Sequence, residues 1–451
     1  MPIAALSRWT MTFFAAALLL LLLAEALMAL GWGYPHQGLR APGTLIVVHL
    51  VAVGWLSLAM AGALMQFVPV LTTRPLAFER LALPALALLL CGLAGLVLGF
   101  GALAGWPLPS VALPLGGAAL VAGFALVIAM TGRTLWLARP LALHARFVAA
   151  GLVALGAAVS AGLVFTGLLA GVPGLPLLLP EGTAFHALLG LGGWLSLIAF
   201  GVSYRLFAMF MLAPERPGRG GRAILGFGGA GLAAAAAGLV ALGAGWPGSR
   251  TLLVLAVAGF VLAALAYLAD IAGLFRSRMR RGLEINMRGS IAALSVLSAS
   301  LPLALVALLP GSGDRWAAAT LWLFGFGWLS LLTLAQLLKI TAFLTWLQVY
   351  APVMGRAPTP QVQELLLDRR AEGWLALFLS GAVLGTLAIL FGAGLPVRFA
   401  ALLMLAGTLG VVAELVRIRR LAGVAPARRL PPGTRRPPLF LPPAQIRSPL
   451  R

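Results

Sequence analysis

The sequence predicts an all-α polytopic membrane protein: twelve transmembrane helices in three pseudo-threefold four-helix units, with both termini cytoplasmic. Three observations carry this expectation. Apolar runs of about 20 residues recur along the chain, long enough to cross a hydrocarbon core of roughly 30 Å. The positive charges fall almost wholly on one side of those runs. One five-residue motif returns three times at near-equal spacing.

The composition excludes a water-soluble domain. Of 451 residues, 61% are hydrophobic and 10% charged, where a soluble domain carries roughly 25% charged residues. The spans are expected at Thr10–Trp32, Thr44–Leu71, Leu81–Leu103, Ser110–Trp136, Phe147–Gly171 and Thr183–Leu212. Those of the second half are Ala223–Gly245, Thr251–Phe275, Gly289–Leu309, Trp316–Leu347, Gly373–Leu395 and Val397–Val416. They form one domain over residues 1–422, with units at about 1–136, 137–275 and 276–422. The segment 423–451 is a Pro- and Arg-rich cytoplasmic tail, too poor in apolar residues for a core and expected to be disordered or to lie on the membrane surface. Arg8, an apolar run and Ala24-Glu25-Ala26 loosely resemble a cleavable signal. The run continues to Trp32, so the first helix is expected to be retained.

An even number of helices places both ends on one side. Of the 32 Lys and Arg, only Arg40, Arg250, Arg315 and Arg398 fall on the other. This positive-inside bias makes the ends cytoplasmic, in a membrane of the bacterial inner type. It also accounts for the net charge of +21 without a nucleic-acid partner. The loop of Arg276, Arg278, Arg280, Arg281 and Arg288 and the tail after Arg417 hold much of the excess. They act as topology determinants, with anionic lipid as the alternative partner.

The repeat is the most specific signal. Gly54-Trp55-Leu56-Ser57-Leu58, Gly193-Trp194-Leu195-Ser196-Leu197 and Gly327-Trp328-Leu329-Ser330-Leu331 fall on spans 2, 6 and 10. Their tryptophans are 139 and 134 residues apart. Seven residues after each Trp stands a small residue (Gly62, Gly201, Ala335), and eleven after stands a polar one (Gln66, Arg205, Lys339). The period of four helices predicts three equivalent units. Packing at Gly and snorkelling of the long polar side chains account for these positions taken singly.

Candidate functional residues are few. Cys91 is alone, so a CxxCH attachment of c-type haem is excluded. His49 lies six residues before Trp55 and His186 eight before Trp194, at similar depth in the outer part of equivalent spans. Neutral imidazole ligates haem iron or copper well, which makes both candidate metal and cofactor ligands, against the plainer reading of hydrogen-bonded interfacial histidines. His36, in an external loop, and His144, among arginines, read as solvated and interfacial. Glu25 is the deepest acid, and Asp270 and Glu414 lie nearer the cytoplasmic face. A proton relay and pairing with Arg are the two readings for them. With Gln66, Arg205 and Lys339, Glu25 completes the polar intramembrane set.

These residues give the chain a resemblance. Twelve helices, internal termini and three four-helix arcs resemble the haem–copper oxidase subunit I superfamily, which includes cytochrome oxidases and the large subunit of nitric oxide reductases. The segments His49 to Trp55, His186 to Trp194, Ser203-Tyr204-Arg205 and Lys339 to Trp346 look like a divergent bacterial branch. The resemblance implies metal ligands on helices 2, 6, 7 and 10 toward the outer side. By it, His49 matches the helix-2 ligand of the low-spin haem and His186 the helix-6 ligand of copper. The superfamily's helix-10 histidine pair is absent, since Thr320-Leu321-Trp322-Leu323 stands there, and helix 7 has no histidine. A complete centre for oxygen reduction cannot be built from this inventory. The resemblance therefore implies at most one haem b or one copper, with a role in respiration or nitric oxide handling beside other respiratory membrane subunits. The haem- and copper-containing membrane proteins of the nitric oxide response are a weaker second resemblance, because their histidine signature in the later helices is missing. Two further readings stand beside these: a secondary transporter, which would repeat as two six-helix halves, and a metal-free scaffold or assembly subunit.

Overall fold

A computed structural model describes residues 9–175, 178, 181–214 and 219–440, and among these the regular structure is entirely helical. Twelve helices are long and apolar enough to cross a membrane. They are α1 (Thr10–Ala29), α2 (Pro42–Thr72), α3 (Glu79–Leu103), α4 (Ala112–Leu137), α5 (Leu143–Leu169) and α6 (Gly182–Met211). The second half has α7 (Gly220–Gly243), α8 (Ser249–Arg276), α9 (Ile285–Val306), α10 (Asp314–Val353), α11 (Asp368–Leu390) and α12 (Gly394–Arg419). Each overlaps an expected span. The first stops at Ala29 instead of Trp32 because Gly31 and Gly33 take left-handed conformations, with φ of +79° and +71°.

α2, α6 and α10 are the most buried helices, with 67%, 61% and 83% of their apolar windows inside the protein. Each unwinds into a π-helix over the repeated motif: Leu50–Ser57, Leu188–Leu197 and Leu323–Ser330. Local π-helix inside an α-helix closes i→i+5 backbone bonds and often marks a functional region. Here the hydroxyl of the motif serine reaches the carbonyl five residues before it. Ser57 Oγ donates to Ala52 O (2.7 Å), Ser330 Oγ to Gly325 O (2.7 Å) and Ser196 Oγ to Leu191 O, each five residues back.

The three π segments touch one another at the centre of the bundle. Trp55 Nε1 donates to Ser330 Oγ at 2.9 Å, and Trp194 Nε1 to Ser57 Oγ at 3.0 Å. The bonds thus run from α6 to α2 and from α2 to α10. A bond from Trp328 to Ser196 would close the circle, but Trp328 Nε1 is buried without a hydrogen-bond partner. This asymmetry makes a prediction. Ser57→Ala and Ser330→Ala each orphan a buried indole N–H and are expected to destabilise by about 1–3 kcal/mol. Ser196→Ala orphans none and is expected to cost well under that. Thermal unfolding of the three variants in one detergent checks the order, and equal losses at all three positions would remove the argument.

The small residue seven after each Trp lies against the helix before it. A Cβ on Gly62 would come within 2.8 Å of Phe13 Cβ on α1, and one on Gly201 within 2.4 Å of Phe147 Cβ on α5. On α10 the roles are exchanged, since Ala335 faces Gly289 of α9, where an added Cβ would meet it at 2.7 Å. Close packing through small residues is how membrane helices gain contact without a hydrophobic driving force. The pairs α3–α4, α7–α8 and α11–α12 pack along their lengths in the same way.

Residues 423–440 are not free of the bundle. Arg428 pairs with Glu364 at 2.7 Å, and Tyr350 Oη donates to Arg429 O at 2.8 Å. Thr12 Oγ1 of α1 donates to Phe440 O at 2.6 Å, while Pro431 and Pro437 are buried. The strap is held by one side-chain ion pair and by polar contacts to its backbone, which composition does not register. Residues 441–451 lie outside the described residues.

Candidate functional site

His49 ends the first α-helical stretch of α2, directly before the π segment, and His186 lies two residues before that of α6. Both are half-buried. His49 Nδ1 is 2.7 Å from Leu45 O of its own helix, and His186 Nδ1 is 3.1 Å from Ala158 O of α5. A carbonyl oxygen only accepts, so each Nδ1 carries the proton. In the neutral ring that leaves the Nε2 lone pair available, and the backbone contact fixes the ring orientation. Aromatic rings back both imidazoles: Phe100 of α3 is 5.3 Å from His49, and Phe165 of α5 is 5.5 Å from His186.

Glycine leaves room beside His186. A Cβ on Gly162 would lie 3.3 Å from His186 Cε1, and one on Gly190, a turn beyond His186, would have no atom within 4 Å. Among the described residues no group of three or more His, Cys, Asp or Glu could hold a metal ion. The donor set is therefore two imidazole nitrogens. Two imidazoles are too few for a dinuclear centre; they are the residues that would hold a single metal or haem iron. An open apolar recess of about 440 Å³ between α5, α6 and α7 is lined by Ala157, Ala161, Leu189, Leu239 and their neighbours, and neither histidine is part of it.

The corresponding place on α10 is filled. Trp322 lies six residues before Trp328, as His49 lies six before Trp55. It is 0% exposed, its Nε1 donates to Ala382 O at 3.0 Å, and its ring lies 4.9 Å from Phe326 and 6.0 Å from Tyr34. A Cβ on Gly385 of α11 would come within 2.4 Å of the indole, so α11 closes over it.

The other expected polar residues are dispersed. Glu25 is fully buried between α1 and α12; its Oε1 accepts from Thr408 Oγ1 at 2.9 Å, and its Oε2 has no hydrogen-bond partner. Gln66 Nε2 donates to Thr10 Oγ1 at 2.8 Å. Arg205 acts electrostatically on His144. Lys339 pairs with Glu284, which also pairs with Arg280 and accepts from Gln363 Nε2 at 3.2 Å. None of these four belongs to the histidine pair. Asp270 accepts from Tyr204 Oη at 2.6 Å, and Glu414 pairs with Arg370 and Arg417 at 3.2 and 3.6 Å. His36 is half-buried with Nε2 3.2 Å from Met28 O, where the sequence reading expects solvent. Its burial lowers the imidazole's pKa, which the Met28 contact opposes and the Arg398 charge reinforces.

Sequence reasoning missed Glu284, Thr408 and Arg419. The only available signal was indirect: buried Lys339 and Glu25 each require a polar neighbour, but its position in the chain cannot be read from spacing. No protein-family model and no curated protein matches this chain.

Proposed function

We propose that this chain is an oxidase-like integral membrane protein that holds one haem or one copper near the outer face through His49 and His186. Its role lies in respiration or nitric oxide handling, not in full oxygen reduction. The observation that carries the reading is the pair of imidazoles on α2 and α6, each just before or near the start of its π segment, with Nδ1 committed to a carbonyl and Nε2 left to ligate. Bound iron or copper would supply electron transfer or the binding of a small diatomic molecule. The protein's own part is to orient both rings and to back them with Phe100 and Phe165. Trp322 at the equivalent place on α10 argues against the full oxidase centre.

The architecture belongs to the same proposal. Three four-helix units, α1–α4, α5–α8 and α9–α12, surround α2, α6 and α10. The shared π segments, the directed Trp–Ser bonds and the equivalent contacts at Gly62, Gly201 and Ala335 support it. The charge bias supports cytoplasmic termini in a membrane of the bacterial inner type.

The test is the absorption spectrum and metal content of protein purified from a haem- and copper-replete host. A Soret band, or copper near one per chain, is expected. His49→Ala is expected to weaken binding by at least about 100-fold, beyond the usual cost of disturbing a ligand's hydrogen-bond partner, with helical circular dichroism unchanged. Protein with neither haem nor copper would overturn the proposal and leave the metal-free scaffold.

A further inference from the structure

The C-terminal strap carries a site of its own. Arg419, the last residue of α12, is 2% exposed and is the one buried arginine among the described residues. Its Nη1 donates to Thr345 Oγ1 (2.9 Å) and Gln348 Oε1 (2.8 Å) of α10. Nε donates to Leu439 O (3.3 Å) and Nη2 to Pro438 O. None of these acceptors is charged. By contrast Arg280, Arg288, Lys339, Arg370, Arg417 and Arg428 all meet an Asp or Glu.

A buried cation without a counter-charge is costly, so this pocket is electropositive and complementary to an anion. The Nε and Nη2 edge is the fork with which arginine grips two oxygens of a phosphate or carboxylate. Here two consecutive backbone carbonyls occupy it in place of an oxyanion. They belong to a chain segment near the C-terminus, tied beyond that point only by the Thr12 bond to Phe440 among the described residues. Arg420, Arg435 and Arg436 are exposed nearby in sequence and add positive potential at the arginine-rich face.

We infer that Arg419 is a masked oxyanion site whose ligand is a phosphate group, and that residues 437–440 are its competing internal occupant. Phosphate on the Nε and Nη2 edge displaces Pro438 O and Leu439 O, and residues 437–440 lift from Arg419 and α1. The upstream anchors, Arg428 on Glu364 and Tyr350 on Arg429, stay in place.

Hydrogen–deuterium exchange of the full chain tests this at the amides of residues 433–436, 439 and 440, since Pro437 and Pro438 have none. Three arms are needed: phosphate-free maltoside detergent, the same detergent with inorganic phosphate, and nanodiscs of phosphatidylglycerol. Exchange is expected to quicken by about tenfold when the ligand stands at about ten times its dissociation constant. Quickening with inorganic phosphate identifies free anion as sufficient; quickening in the nanodiscs alone identifies the lipid headgroup. Arg419→Gln is expected to exchange fast in every arm and to respond to neither source. Arg419→Lys keeps the charge without the fork, is the safer variant for folding, and is expected to respond weakly. No response of the native protein to either source, or a full response in Arg419→Gln or Arg419→Lys, would overturn the proposal and leave Arg419 as a staple.

Discussion

Trp322→Ala is expected to destabilise the protein by about 3–5 kcal/mol, the range for deleting a fully buried large aromatic. The indole is 0% exposed and locked on three sides: Tyr34 from the loop after α1, Phe326 from its own helix, and Gly385 of α11 pressed against it. Such a site collapses poorly, because α11 already stands at glycine distance and its backbone is held by the Nε1 bond to Ala382 O. Trp322→Phe keeps most of the volume and loses that bond, so about 1–2 kcal/mol is expected. Thermal unfolding in detergent reads both losses. The same pair separates structure from ligation. Metal or haem bound per folded chain is expected to stay constant in both variants, because the proposed donors sit on α2 and α6. A loss of ligand in Trp322→Phe matching that in His49→Ala would move the site toward α10 and refute the assignment of His186.

The helices were legible because their signal is redundant: each span needs about 20 apolar residues, and errors at the ends do not move the middle. The motif was equally plain as a pattern, but its role was not. Gly54-Trp55-Leu56-Ser57 reads as small-residue packing, whereas the chain winds there as π-helix and Ser57 both donates to Ala52 O and accepts from Trp194. Periodicity at 3.6 residues per turn cannot announce a local change of winding. The histidines were legible as residues at similar depth. That both commit Nδ1 to a carbonyl, one on its own helix and one on α5, depends on side-chain rotamers that spacing does not encode. The contacts of the strap were not legible for a related reason. Pro and Arg lower apolar content, but Pro438, Leu439 and Phe440 are anchored through carbonyls, which every residue owns.

The second large effect is expected at Glu284, just before α9. Its carboxylate faces Lys339 of α10, and the two side chains are 15% and 10% exposed. Arg280 and Gln363 share the same carboxylate. Glu284→Gln leaves two cations together in a poorly hydrated place and is expected to cost about 3 kcal/mol. Lys339→Met costs less, since Arg280 and Gln363 still hold the acid. The double variant is expected to recover part of the Glu284→Gln loss, because an apolar partner no longer needs a counter-charge. Burial alone would raise the Glu284 pKa, yet the Lys339 bond and charge, with Gln363 and Arg280, hold it below the ordinary 4.5. A lowered carboxylate pKa means that this stabilisation is fully present above about pH 4.5 and is lost as pH falls through the folded value. Unfolding measured down the acid limb should therefore drop in the native protein and flatten in Glu284→Gln. Parallel acid limbs, or a double variant as weak as Glu284→Gln alone, would show that Lys339 snorkels to the interface without drawing stability from Glu284.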